Sequence, residues 1–272
     1  MRDVLRELGF NEITQIGTFD AVQEAIGAGE YDLLILGEVI EGRSSLPLIR
    51  SLRTGELGPH PFPLVLLMLQ PGATTDMIRE AINVGPDDVL IMPFANADFK
   101  QRIARMAEGR KPFIVSYQYI GPDRRKQDRI DASPTPVLMA PNPIVIKGRG
   151  EDYSAALKQA TDSYHGRLSD TGNRMILSLL QEGASLCRVT QPDLAHIERV
   201  AVQVVEVGMK LNERVVGQIG DRVRSGIQSF VNAMGALRSA NHTQRERVAA
   251  LGQLFQGCLD TLVPARLEVD ER

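Results

Sequence analysis

Three short and almost wholly apolar runs, separated by helix-like segments, are the feature that most constrains the fold of this chain. The runs cover residues 32–36, 63–69 and 88–92. A strand whose successive residues are apolar is buried on both faces, as in a parallel sheet covered by helices. Between the runs, apolar residues recur at steps of three and four, which is typical of amphipathic helices. The alternation predicts an α/β domain over residues 1–109.

Capping residues and glycines set the ends of the predicted helices in this domain. Helices are expected at 2–8, 19–28 and 96–108, and two more begin near Ser45 and Thr75. Ser45 precedes Pro47, and this pairing is typical of a helix start. A short strand is also expected at 12–16.

Two segments carry a resemblance to a known family. One reads Tyr31-Asp-Leu-Leu-Ile-Leu-Gly37-Glu-Val-Ile-Glu-Gly42, and the other reads Gly85-Pro-Asp-Asp-Val-Leu-Ile-Met-Pro-Phe94. They resemble the third strand with its loop, and the last strand, of the receiver domains of two-component signalling. The resemblance covers 1–109 and implies a doubly wound, flavodoxin-like fold with strand order 2-1-3-4-5. In that family an aspartate accepts a phosphoryl group at the position that is Gly37 here.

The resemblance also implies positions for the groups that assist this aspartate. Met68 stands where the family has Ser or Thr, Met92 where it has Lys, and Val89 at the aromatic switch position. The acidic residues that bind Mg²⁺ follow the family's first strand, which this sequence lacks. We therefore expect a degenerate receiver that takes no phosphate, uses no metal or cofactor and is not an enzyme. Glu38 and Glu41 are interpreted as solvated loop residues rather than phosphate mimics.

The missing first strand leaves a gap in the expected sheet, because that strand lies between the second and third. Unpaired backbone groups there would be costly if buried. Either the natural start lies upstream of Met1 or another segment of the chain fills the gap, and the first account is favoured.

Residues 110–150 are rich in proline and lack apolar periodicity, which indicates a linker or extended arm without a core. A basic cluster within it contains Arg124, Arg125 and Arg129. Their arrangement is similar to the nucleotide-binding arginines of PilZ domains. A cyclic-dinucleotide sensor is therefore one alternative function, although a solvated linker is favoured.

Residues 151–272 are expected to form a helical domain, helical throughout 151–264, as a bundle or coiled coil. One long helix or two, divided near 169–172, would come first. An apolar stripe from 191 to about 238 would form a rod of roughly 70 Å if unbroken. Asn241 or Thr243 would cap a last helix. A helix of such length needs partners along its whole extent, which favours a homodimer.

The four histidines are His60, His165, His196 and His242. A phosphotransfer histidine in the helical region, at His196 or His242, is a second alternative function, because imidazole can carry a phosphoryl group. Neither is followed by the Lys-Gly pair usual in phosphotransfer domains. No histidine has metal-ligand spacing.

The net charge, the length of the apolar runs and the cysteines bear on DNA binding, membrane insertion and cellular location. A net charge of −3 over 272 residues gives no general affinity for DNA, and no apolar run is long enough for membrane insertion. Cys187 and Cys258 lie in helix-like apolar settings, which is typical of buried free thiols in a cytoplasmic protein. The sequence thus predicts a non-catalytic signalling or scaffold protein that binds other signalling proteins.

Overall fold

A computed structural model describes residues 1–29, 31–116, 118–125, 137–214, 218–239 and 242–267 of the chain. The chain divides into two compact units, Met1–Tyr164 and His165–Arg272. No helix in the described ranges combines the length and the apolar character needed to cross a bilayer.

The first unit begins with an alternation of helices and strands. Its elements to residue 108 are α1 (Arg2–Glu7), α2 (Phe19–Ala28), β1 (Leu33–Gly37), β2 (Val39–Ile40), β3 (Arg43–Ser44), α3 (Leu46–Thr54), β4 (Leu64–Leu69), α4 (Thr75–Asn83), β5 (Asp88–Ile91) and α5 (Asn96–Glu108).

Strands β1, β4 and β5 form a parallel sheet in that order. Residues of β4 alternate between two cores, as the pleat of a strand requires. Val65 and Leu67 pack with α2, α3 and α4, whereas Leu64 and Leu66 pack with α1 and α5. The predicted parallel sheet with accompanying helices is confirmed.

The predicted strand at 12–16 is wrong, because this segment has no regular structure. A strand there would have to pair with the missing first strand, and none of the described residues supplies one. The outer edge of β1 therefore has no neighbouring strand in the described part of the chain. No described segment fills the gap, contrary to the second account of the missing strand.

Residues after 109 form a second small sheet instead of an extended arm. It comprises β6 (Phe113–Val115), β7 (Ile120–Pro122) and β8 (Val137–Leu138), in the antiparallel order β7-β6-β8. The helix α6 (Pro143–Gly148) follows, and then the first turns of α7 (Tyr153–Leu186).

The prediction of an arm without a core is wrong for the described residues of 110–150. Phe113, Val115, Ile120 and Leu138 are all buried. Among the described prolines of this segment, Pro122 lies at the end of β7 and Pro143 at the start of α6. At such positions the missing N–H costs little.

The second unit contains the rest of α7, then α8 (Leu194–Arg214), α9 (Gln218–Ser239) and α10 (Gln244–Leu267). Helix α7 has no break at 169–172. Helix α10 begins with a capping box, in which Thr243 and Glu246 exchange hydrogen bonds. Thr243 is thus the cap, and Asn241 lies outside the described residues.

The long apolar stripe does not form one unbroken rod. The stripe is divided between α8 and α9, which share one core. Val204 and Val207 of α8 lie in the same buried cluster as Ile227 and Phe230 of α9. The described stripe residues of the two helices therefore cover each other, and a dimer is not needed to bury them.

Candidate functional site

The carboxyl ends of the three parallel strands meet at one edge of the sheet. Gly37 is paired in register with Met68. The backbone N–H of Met92 donates to the Leu69 carbonyl over 3.0 Å. The structure thus brings Gly37, Met68 and Met92 together, as the resemblance implied. Val89 lies deeper in β5, opposite Leu67.

These three residues carry little polar chemistry of their own. A glycine and two methionines offer no nucleophile, no hydroxyl and no amine. In the described ranges, no group of three or more His, Cys, Asp or Glu residues is arranged to hold a metal ion.

A carboxylate does lie at the edge, but it belongs to Glu38. Only 9% of Glu38 is exposed, and its Oε2 accepts a hydrogen bond from the Gln70 backbone N–H over 3.2 Å. The Glu38 backbone N–H donates to the Met68 carbonyl over 2.8 Å. The interpretation of Glu38 as a solvated residue is therefore wrong, since its side chain ties the end of β1 to the residue that follows β4.

Ser45 fixes the other side of the same loop. Its hydroxyl donates to the Gly37 carbonyl over 2.7 Å instead of capping α3, although α3 starts where the sequence predicted. The Ser45 backbone N–H donates to the Glu38 carbonyl over 2.8 Å. Gly37 and Glu38 are thus held on both sides by hydrogen bonds within the chain.

The hairpin of β2 and β3 is anchored to the start of α2. Its turn residues, Glu41 and Gly42, both have positive φ, which is typical of the tight turn of a two-residue hairpin. Glu41 Oε2 accepts a hydrogen bond from the Phe19 N–H over 2.9 Å, where a helix start favours negative charge. Arg43 lies over the Phe19 ring and pairs with Asp20. Glu41 is therefore also engaged, and the loop is ordered by α2.

A buried charged cluster, which sequence reasoning missed, lies at the opposite ends of β4 and β5. Asp87 accepts hydrogen bonds from the guanidinium groups of Arg53 and Arg110, over 2.7 and 2.8 Å. The three side chains are 5%, 1% and 2% exposed, respectively. Both arginines also donate to the Pro63 carbonyl and lie near the Phe113 ring. The Arg53–Asp87–Arg110 cluster therefore ties the second small sheet to the first.

Burial lowers the pKa of Arg53 to about 10, with a further lowering from Arg110 that Asp87 opposes. The group still carries its charge at neutral pH. Two cations around one carboxylate leave a net positive charge in the interior, and the backbone carbonyls of Pro61, Pro63 and Gly85 accept three further hydrogen bonds from Arg53. No local sequence signal marks this cluster, because its members are far apart along the chain.

The two described arginines of the basic cluster contact their own chain. Arg124 donates to the carbonyls of Ile82 and Pro86 and lies over the Tyr119 ring. Burial lowers the pKa of Arg124. Arg125 pairs with Asp123 over 2.8 Å. Arg129 lies outside the described residues.

The histidines are dispersed. In the first unit, His60 Nδ1 accepts a hydrogen bond from the Phe62 N–H over 3.2 Å. In the second, His196 Nε2 lies 3.5 Å from Glu182 Oε1, and both side chains are nearly half exposed. His165 and His242 are exposed. Cys187 and Cys258 are free thiols, and burial raises the pKa of Cys258 to about 11.

Part of the chain is similar to chemotaxis proteins. Over 108 residues, 40% of this chain, it is 26% identical to the chemotaxis protein CheY of Pseudomonas aeruginosa, of which it covers 85%. It is 24% identical to the CheY-3 proteins of two Vibrio cholerae strains, of which it covers 81%. No protein-family profile matches the chain, and no solved structure gives a significant match. The similarity supports a receiver-like segment and a role in signal transduction.

Proposed function

We propose that this chain is a non-catalytic signalling protein whose doubly wound, receiver-like unit binds a partner protein and takes no phosphoryl group. The observation that carries the proposal is the set of residues found where the carboxyl ends of β1, β4 and β5 meet. Gly37, Met68 and Met92 meet there without a reactive group, and the Glu38 carboxylate is hydrogen-bonded to the Gln70 N–H.

Glu38 does not substitute for the missing aspartate in this proposal. A nucleophilic carboxylate must be free to approach phosphorus in line with the leaving group. Glu38 is nearly buried, and the loop that carries it is fixed by Ser45. The carboxylate thus acts as a structural hydrogen-bond acceptor that holds β1 and β4 in one arrangement. Any change of state in this unit would come from partner binding.

The helical unit is proposed to present a binding surface for signalling proteins. We favour such a role over homodimerisation, because the described residues of the stripe that indicated a dimer are buried against each other within the chain. Light scattering checks this choice: a mass of one chain is expected, and a mass of two would restore the dimer. The cyclic-dinucleotide sensor gains no support, since Arg124 and Arg125 bind groups of their own chain. The phosphotransfer protein gains none either, since His196 lies beside Glu182.

Incubation with acetyl phosphate and Mg²⁺, followed by intact-mass spectrometry, tests the proposal. No covalent phosphate is expected on the full chain, whereas a receiver protein that keeps its aspartate should be labelled under the same conditions. Gly37→Asp should also remain unlabelled, because Met68 and Met92 still supply neither hydroxyl nor amine. Labelling of the unchanged protein, mapped by peptide analysis to Glu38 or any residue of 1–109, would refute it.

A further inference from the structure

A cleft of about 580 Å³ opens in the first unit between the start of α7 and the loop before β4. This volume is typical of small-molecule sites, which span roughly 300–1,000 Å³. Partly buried residues form its floor, namely His60, Tyr153, Leu157 and Thr161. The loop before β4 lies at the opposite end of that strand from Met68, so the cleft is separate from the edge where Gly37 lies.

Two polar groups of the floor have no hydrogen-bond partner in the described part of the chain. The hydroxyl oxygen of Tyr153 is buried and makes no hydrogen bond. His60 Nδ1 accepts the Phe62 N–H, so the neutral imidazole carries its proton on Nε2, which donates to no described residue. Because a buried polar group without a partner is costly, this arrangement indicates a bound molecule that accepts hydrogen bonds.

Excess positive charge lies behind the floor. The Arg53–Asp87–Arg110 cluster carries one net positive charge, since two guanidinium groups share one carboxylate. Burial lowers the pKa of His60, and Arg110 lowers it further, by more than Asp32 raises it. Burial raises the pKa of Tyr153 to about 12, and Arg110 opposes this rise. The charge of the cluster is therefore felt at both floor groups, and it favours an anionic ligand there.

Exposed charged side chains form the rim of the cleft. Lys147 pairs with Asp32 over 2.8 Å, whereas Lys158 makes no ion pair with a described residue. Three carboxylates also line the rim, and they belong to Glu151, Asp152 and Asp162. Because these carboxylates outnumber the one unpaired lysine, the rim opposes a second anionic group on the ligand and favours a cationic one.

We propose that this cleft binds an apolar α-amino acid, with its carboxylate at the floor and its ammonium group at the rim. The Tyr153 O–H and the His60 Nε2–H donate to the carboxylate, and such charge-assisted hydrogen bonds are the strong ones. Leu157 supplies an apolar contact for the side chain of the ligand. This goes beyond the proposed function, since it concerns a small molecule, bound away from Gly37, and not a partner protein.

Isothermal titration calorimetry of the full chain with three matched probes tests the proposal. L-Leucine has both charged groups, isocaproate has the same carbon skeleton without the amine, and isopentylamine lacks the carboxylate. Leucine should bind most tightly, isocaproate more weakly, and isopentylamine not at all. Binding of isopentylamine, or tighter binding of isocaproate than of leucine, would overturn the proposal. So would the absence of binding by leucine, valine, methionine and phenylalanine at about 10 mM, where even millimolar affinity is detectable.

Tyr153→Phe tests the floor, with Tyr31→Phe as the matched control. Tyr31 packs against the core formed with α2 and does not line the cleft. Tyr153→Phe should weaken leucine binding at least about tenfold, because a hydrogen bond to a charged group is lost. Tyr31→Phe should bind leucine as the parent does. The melting temperature of ligand-free Tyr153→Phe should not fall, because the hydroxyl has no partner to lose. A fall in melting temperature without any loss of leucine binding would show that the hydroxyl is purely structural and would overturn its assignment.

The rim is tested by replacing its three carboxylates together, with Glu151→Gln, Asp152→Asn and Asp162→Asn. Asparagine at 152 keeps a side-chain oxygen that can accept the Ser154 N–H, as Asp152 does. Leucine should bind this variant several-fold more weakly, whereas isocaproate should bind it at least as well as the parent. Equal weakening of both probes would contradict the placement of the ammonium group at the rim.

Discussion

Arg53 and Asp87 form a 2.7 Å ion pair that is almost completely excluded from solvent. The pair joins the last turn of α3 to the residue that precedes β5, and Asp87 Oδ2 also accepts the Val65 N–H of β4 over 2.9 Å. Arg110, which precedes β6 in the chain, also pairs with this carboxylate and so holds β6 near it. One aspartate thereby connects the parallel sheet, a helix and the second small sheet. Its charge is structural and lies at the opposite end of the strands from Gly37.

Asp87→Asn is expected to destabilise the first unit strongly, by about 3–5 kcal/mol, because it leaves two buried guanidinium groups without a counter-charge. Asp88→Asn is the matched control, since Asp88 pairs with the partly exposed Arg102. Its cost should be about 1 kcal/mol or less. Urea unfolding followed by far-ultraviolet circular dichroism measures both. Equal destabilisation by the two variants would contradict the role given to Asp87.

Gly85 is required by both its conformation and its surroundings. Its φ is +92°, and a Cβ there would lie 2.5 Å from the Ile120 carbonyl oxygen. Gly72 has a similar φ of +81° but no atom within 4 Å of a Cβ. We expect Gly72→Ala to lower the free energy of unfolding by about 1–2 kcal/mol, because of the positive φ alone. Gly85→Ala should cost about 1–3 kcal/mol more from overpacking against β7. Thermal unfolding gives the difference, and equal costs would show that β7 is not held against this turn.

The protonation of His60 is expected to make the free energy of unfolding depend on pH. Burial, together with Arg110, lowers the pKa of His60 in the folded protein, and its Nδ1 accepts the Phe62 N–H. As the pH falls, His60 is therefore protonated at a higher pH in the unfolded chain than in the folded protein. Stability from the neutral His60 is complete above the unfolded pKa of about 6.5 and is lost as pH falls toward the lower folded pKa. Urea unfolding at pH 8, 7, 6 and 5 should show this decline.

The matched control for that titration is His60→Asn. Asparagine keeps an oxygen that can accept the Phe62 N–H but does not titrate. The decline in stability between pH 7 and 5 should be smaller in this variant. If both proteins lose stability in parallel over this range, the acid sensitivity comes from other groups and the prediction is refuted.

The sequence predicted those elements whose signal is local. The runs that became β1, β4 and β5 are apolar at almost every position, so their burial on two faces could be read directly. Of the two caps expected for the last helix, Asn241 or Thr243, the structure shows Thr243, which exchanges hydrogen bonds with Glu246. The strand at 12–16 failed because a strand also needs a neighbour, which the sequence of the segment does not report.

The candidate site was predicted in position but not in detail. Gly37, Met68 and Met92 were placed by resemblance, and register pairing brings them together. The engagement of Glu38 could not be predicted, since it depends on a backbone N–H 32 residues away. Arg53 and Asp87 are 34 residues apart. Both contacts arise only after the strands have assembled, and a single sequence carries no periodic signal for them.

Gly183 allows the packing of the helical unit to be tested separately. A Cβ on this α7 residue would lie 2.4 Å from two ring atoms of Phe255, whereas Gly257, exposed on α10, has no such neighbour within 4 Å. Gly257→Ala should stabilise the protein by about 0.5–1 kcal/mol, because alanine is the better helix former. Gly183→Ala should instead destabilise it by about 1–3 kcal/mol, because the ring at the centre of the core must move. Denaturant unfolding of the two variants measures effects of opposite sign, and a gain in stability for Gly183→Ala would show that α7 and α10 are not in contact at Phe255.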